Sequence, residues 1–406
     1  MLRFFHNRRK VNNLIITWTL LTCISLCGCT GGGSFSVSES ENTAENVSQD
    51  IATADPAEDS SETTALQMTA VRENAAATEF SITDYEGGYS SIEVSDGRKY
   101  LIVPEGAAVP EDTMGMSVIK RPVANIYLAN SAAMCEFAEL GAVDAVRFSG
   151  IEKDDWTIEE AVRAMEAGKM IFCGNYGAPD YETLTVEGCQ LAVENTMVTH
   201  KPEVVEKLEG LGIPVLVDRS SYEKDPMGRM EWIKVYGLIL GKEDEAQTAF
   251  DEQKAIVDAL EDYGNTGLTV VACYVSANGQ IVCTKGGSSF ARMTEMAGGN
   301  YILQADENDD SVKSTVKYGM EEFMTVAGEA DFLIYDSTID HVDSLDDIID
   351  RNAMFANFKA FEDGNVWVME SSLYQNSNEV GTIVSDIHSM LTGGGETVHL
   401  KKLGDD

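Results

Sequence analysis

From residue 120 onward, short apolar runs alternate with longer stretches whose apolar positions recur every three to four residues. The short runs predict strands at Asn125–Ala129, Ala145–Phe148, Met170–Cys173, Leu191–Glu194 and Pro214–Val217. Helices are predicted between them at Ala132–Leu140, Ile158–Ala167, Tyr181–Val186 and Pro202–Leu211. The scheme returns in the second half, with strands at Thr269–Val275, Phe332–Tyr335 and Val366–Met369. Its helices are predicted at Ser289–Ala297, Met320–Val326, Asp346–Ile349 and Val380–Leu391. Strands that are apolar throughout, with helices between them, imply parallel sheets covered on both faces. Two α/β lobes follow, over residues 81–240 and 264–400.

Ahead of the first lobe, Ser91–Val94 and Lys99–Val103 flank Ser95-Asp96-Gly97 and read as a β-hairpin. Between the lobes, Glu243–Tyr263 begins with acids, holds mostly helical spacing and stops at Gly264-Asn265. A helix of that length reaches about 30 Å, enough to join the lobes over residues 241–263.

The N-terminus differs. Arg3, Arg8, Arg9 and Lys10 precede an apolar stretch from Leu14 to Leu26, then Leu26-Cys27-Gly28-Cys29. That is the grammar of a secretory signal over residues 1–28. The apolar run falls short of the roughly 20 residues that span a bilayer. The Leu-Cys-Gly-Cys segment resembles the lipobox of bacterial lipoproteins, which implies cleavage before Cys29 and lipidation of its thiol. Residues 29–80 are rich in small and acidic residues and nearly free of aromatics, so they read as a disordered tether. The expected location is the outer face of the cell membrane, periplasmic where an outer membrane exists.

Charge and cysteines narrow the function. The chain carries 68 acidic and 29 basic residues, a formal net charge of -39. A polyanion is repelled by phosphate backbones, which argues against nucleic-acid partners. Five cysteines remain beyond Cys29, an odd number. Cys273 and Cys283 flank Asn278-Gly279, but a two-residue hairpin there would set Cys283 opposite Tyr274. All five are read as small buried hydrophobes. The five histidines are not at metal-ligand spacing, so no protein-held metal or cofactor is expected. Ser-elbow, zincin, P-loop and dinucleotide signatures are missing from the sequence, which argues against an enzyme.

Several segments together resemble a known family. They are Pro122–Gly150, Gly177-Ala178-Pro179-Asp180-Tyr181-Glu182, Leu208–Val217, Glu231–Lys234 with Leu240–Ala246, Met320–Phe323 with Ala330–Tyr335, and Phe361–Trp367. In this order they resemble the periplasmic-binding proteins of ABC importers for iron–siderophores, haem and cobalamin. The resemblance covers roughly residues 120–393. It implies the class III fold, two Rossmann-like lobes joined by one long helix, with the ligand in the cleft. It also implies a monomeric receptor that passes its ligand to a permease and ATPase. Members of the family dock through one glutamate on each lobe, which maps onto Glu182 and Glu321, with Glu322 as fallback. The ligand would be a ferric chelate, haem or a corrinoid. A chelatase-like surface enzyme and a sensory receptor remain as alternatives.

Clefts in such folds are lined by loops after strand ends. The first lobe then offers Asn130, Ser131, Tyr176, Asn195, Thr196, Arg219 and Tyr222, and the second Ser276, Lys285, Ser288, Tyr335, Ser337, Thr338 and Gln375. Arg219, Lys285 and Arg292 suit an anionic chelate, and the tyrosines suit a flat macrocycle. Gly286-Gly287-Ser288 opens a helix, whose N-terminus is a place for an anion.

Overall fold

The computed structural model describes residues 66–304, 314–337, 339–369 and 375–404. The expected leader, Cys29, most of the tether and Thr338 lie outside the described residues. An N-terminal sheet comes first: β1 (Met68–Arg72), β2 (Phe80–Tyr85), β3 (Ser90–Val94), β4 (Lys99–Val103) and β5 (Ser117–Lys120), in that order. The expected hairpin is the antiparallel β3–β4 pair at its centre. The tether was expected to run to residue 80, but the fold already begins at residue 66. Composition concealed this because β1 is almost wholly exposed. Polar bonds hold the segment instead of apolar burial. The Glu231 carboxylate accepts from the backbone N–H groups of Ala75, Ala76 and Ala77 at 2.8–2.9 Å. Glu223 accepts from the backbone N–H groups of Thr78 and Glu79.

The first lobe has β6 (Ile126–Ala129), β7 (Val146–Ser149), β8 (Ile171–Phe172), β9 (Leu191–Glu194) and β10 (Val215–Val217). Their order is β10-β9-β6-β7-β8 and every pair is parallel. Every residue of β6 and β9 is buried, as expected of strands covered on both faces. The helices are α1 (Met134–Glu139), α2 (Glu159–Glu166), α3 (Tyr181–Val186), α4 (Pro202–Gly210), α5 (Pro226–Met230) and α6 (Ile233–Leu240). Asp180 caps α3 and Asp225 caps α5, each accepting an N–H from the helix's first turn.

The second lobe has β11 (Thr269–Val275), β12 (Ile281–Thr284), β13 (Asn300–Tyr301), β14 (Thr315–Tyr318), β15 (Phe332–Asp336), β16 (Val366–Met369) and β17 (Leu400–Lys402). The sheet order is β14-β12-β11-β15-β16-β17, with β13 beside β11. Its centre, β11-β15-β16, is parallel and its flanks are antiparallel. Around it lie α8 (Ser289–Met296), α9 (Met320–Ala327), α10 (Leu345–Arg351), α11 (Lys359–Glu362) and α12 (Val380–Thr392).

The β11–β12 turn corrects one expectation. Ser276 N–H donates to the Gln280 carbonyl at 2.9 Å, which leaves a three-residue loop with Gly279 at φ +77°. The extra residue shifts the register, so Cys273 pairs with Cys283. Both thiols are buried and free.

Between the lobes runs α7 (Glu243–Asp258), whose 16 residues span about 24 Å. It is shorter than expected, because a separate 3-10 turn at Glu261–Tyr263 follows it. Two glycines let it sit close to both neighbours. A Cβ on Gly237 of α6 would come within 2.5 Å of the Ala246 Cβ. A Cβ on Gly381 of α12 would come within 2.4 Å of the Gln253 carbonyl oxygen. The Gln253 side chain also accepts from the Thr382 N–H at 3.1 Å. Gly381→Ala should therefore force α12 off α7 and destabilise the protein by about 1–3 kcal/mol. Thermal denaturation checks this against Gly210→Ala, whose new methyl meets nothing within 4 Å. Equal midpoints for the two variants would contradict the packing.

Candidate functional site

The C-terminal strand ends of the first lobe are occupied by their own polar network. Asp218, just past β10, accepts from Asn130 Nδ2 at 2.9 Å, the Tyr236 hydroxyl at 2.5 Å and the Ser220 N–H at 2.6 Å. Asn195 donates to the Ala129 carbonyl at 2.6 Å. Thr196 and Ser221 hydroxyls lie 3.5 Å apart on the same rim. Ser131 is half-buried in the loop after β6, and Tyr176, partly buried, packs against the core of the first lobe. Glu194 ends β9 fully buried, and among the described residues neither of its oxygens has a hydrogen-bond partner. Burial pushes its carboxyl up to about 8.

Four sequence candidates belong elsewhere. Arg219 pairs with Glu79 at 2.7 Å, bonds Ser95 Oγ and lies over the Tyr222 ring. Both residues therefore fasten the N-terminal sheet to the lobe, because that sheet, of which the sequence showed only the β3–β4 hairpin, covers this strand end. Tyr335 is wholly buried, its hydroxyl donating to Asp340 at 2.6 Å and accepting from the Val275 N–H. A side chain at the centre of a doubly covered strand serves the core. Arg292 pairs with Glu295 on α8, at the rim of a groove of about 500 Å³ beside α7.

The lobes meet through residues 375–378. Gln375 spans the gap, accepting from the Thr157 N–H at 3.0 Å and donating to the Asp155 carbonyl at 2.9 Å. Ser377 Oγ donates to the Ala132 carbonyl at 2.8 Å, and Asn378 Nδ2 to Glu139 at 3.2 Å. Behind these contacts lies a cavity of about 140 Å³. Its walls come from both lobes: Arg229 of α5, Thr284 at the end of β12, Ser288 and Ser289 opening α8, Thr315 of β14, and Ser377 with Val380 leading into α12. Phe290, Met293, Met369 and Ile383 supply the apolar surface.

Of the sequence candidates, the structure puts Ser288 in this cavity. Lys285 lies three residues before it in the same loop, its N–H donating to the Ser314 carbonyl at 2.9 Å. Arg229, Thr284, Thr315 and Ser377 were missed. The signal for Arg229 was weak: Asp225-Pro226 is a helix start, but Arg229 and Glu231 both stand among the apolar residues of Met227–Trp232. Glu182 and Glu321 are exposed in the first turns of α3 and α9, one on each lobe.

Among solved structures, the periplasmic haem-binding protein of Vibrio cholerae superposes with a TM-score of 0.53 at 14% identity, covering 66% of this chain and 98% of that one. A periplasmic solute-binding protein from Veillonella parvula gives 0.53 at 17%, covering 67% and 82%. The periplasmic haem-binding protein of Pseudomonas aeruginosa gives 0.51 at 13%, covering 69% and 97%. The chain has the class III periplasmic-binding-protein fold. No family model matches it. Two uncharacterized lipoproteins of Methanocaldococcus jannaschii are similar in sequence. One is 21% identical over 305 residues, 69% of this chain and 68% of the relative. The other is 24% identical over 299 residues, 71% and 74%. In this class III fold the interlobe cavity lies where strand ends and helix starts of the second lobe face α5 of the first. Among the described residues, no helix is long and apolar enough to cross a membrane.

The buried Glu194 gives a pH test of the first lobe. The native state keeps the proton up to pH about 8, whereas the unfolded chain releases it near its ordinary pKa of about 4.3. Stability should therefore fall as pH rises between those values. Glu194→Gln, which cannot ionise, should flatten that decline. Denaturation midpoints of the two proteins at pH 5, 6.5 and 8 check it. Parallel curves would show that Glu194 ionises freely.

Proposed function

We propose that the protein is a lipid-anchored, extracytoplasmic receptor that captures a small solute between its lobes and presents it to an ABC permease powered by its ATPase. The supporting observation is the cavity walled by both lobes of a class III fold whose halves are joined through α7. Such an arrangement binds by closing and releases by opening, without chemistry on the ligand. The similarity to archaeal lipoproteins supports the lipid anchor, for which Cys29 is the residue. Similarity to two haem-binding periplasmic proteins supports a ligand from the group of ferric chelates, haem and corrinoids.

Glu182 and Glu321 are the proposed docking residues. A carboxylate on each lobe sets the orientation of the receptor against guanidinium groups on the permease. Exposed ion pairs contribute only about 0–1 kcal/mol each, so they align the complex more than they hold it.

The purified lipoprotein should give a saturable absorbance change and a raised denaturation midpoint with one of haemin, dicyanocobinamide, cyanocobalamin or a ferric catecholate. Silence across the panel would reject the reading. The double variant Glu182→Ala, Glu321→Ala should bind that ligand normally while cellular uptake falls. Undiminished uptake would remove both residues from the docking role.

A further inference from the structure

We infer that the interlobe cavity is an oxyanion subsite, in which Arg229 from the first lobe and the N-terminus of α8 from the second grip a carboxylate or phosphate group of the ligand. This rests on the receptor reading and names the ligand's class.

Arg229 carries the argument. Its Nε is buried and has no hydrogen-bond partner among the described residues. A guanidinium left this way at a cavity wall is costly unless an acceptor arrives. The helix that bears it is firmly set. Asp225 caps α5, Pro226 opens it, and Met227 and Met230 on either side of Arg229 are buried. The carboxyl that senses Arg229 is Glu136, buried on α1 with Oε2 also unpartnered. Burial pushes that carboxyl well above its usual pKa, and Asp218 adds to the effect, while Arg229 pulls it back. Burial dominates, so Glu136 is a poor counter-charge and the guanidinium keeps its demand for an anion.

Across the cavity, Gly287 at φ +77° turns the chain into α8. Ser288 caps the helix by accepting from the Ala291 N–H at 3.2 Å. The first N–H groups of a helix lack intrahelical partners and carry the positive end of its dipole. Hydroxyls of Thr284, Ser289 and Thr315 add neutral donors around the same space. The two cationic features thus come from different lobes, and an anion between them would favour closure.

Size limits what enters. A volume of about 140 Å³ is below the roughly 300–1,000 Å³ of pockets that enclose whole ligands. An acidic arm fits, while a macrocycle or chelate core would remain outside, between the lobes. In a chain of net charge -39, a cationic spot of this kind also selects by field, since the rest of the surface repels anions.

Titration calorimetry on the purified lipoprotein tests this with haemin, which bears carboxylates, cyanocobalamin, which bears a phosphodiester, ferric citrate, inorganic phosphate, and dicyanocobinamide, which has neither group. Binding is expected from an oxyanion-bearing probe, and which one binds separates carboxylate from phosphate. Arg229→Gln should weaken it roughly ten- to a hundredfold, the usual loss for a charge-assisted hydrogen bond. Arg229→Lys, which keeps charge and bulk, should fall between the two. Equal affinity in both variants, or binding of dicyanocobinamide alone, would overturn the subsite and leave the receptor reading intact. No binding by any probe would overturn both.

Discussion

The architecture depends on how closely α7 approaches its neighbours. It is the element that links the lobes, and it touches α6 on one side and α12 on the other through positions where only hydrogen replaces a side chain. At Gly381 the approach is to backbone oxygen, so little can yield. This close fit makes the link a stiff rod with little room to shift against either neighbour. The Gln253–Thr382 bond fixes the α12 side in register. Because α12 begins at the cavity and α6 follows α5, the rod also sets the distance across which the cavity is built.

Most of the α/β framework was legible, and for a physical reason. β6, β9 and β15 are buried on both faces, so their sequences are apolar without interruption and their ends are marked by polar or glycine residues. Features fixed by polar contacts were less readable. Residues 66–80 looked like tether because their order comes from Glu223 and Glu231, some 145 or more positions away. The β11–β12 loop was miscounted because Asn278-Gly279 is the signature of a two-residue turn, while here Ala277 joins the loop and Gly279 takes the left-handed position.

The site shows the same division. Ser288 was legible as a helix start because Gly-Gly-Ser before a helical run has a local meaning. Arg219 and Tyr222 were misplaced because the N-terminal sheet, foreseen only as a hairpin, lies against them and recruits both. Tyr335 was taken for a strand-end residue, but one more strand residue follows it, leaving its ring inside the sheet. Arg229 was hard to read, because Glu231 two positions on makes the charge look like part of a solvated helix face.

Glu231, which clamps the backbone at residues 75–77, stands only two positions from Arg229. Burial alone would raise the Glu231 carboxyl, but Lys234 and the three N–H groups outweigh it and hold it below its usual value, so the clamp stays charged. The segment at residues 75–77 is therefore held two positions along the chain from the arginine that lines the cavity. A shift of residues 75–77 would move that wall with them, so the N-terminal sheet buttresses the cavity as well as covering the strand ends of the first lobe.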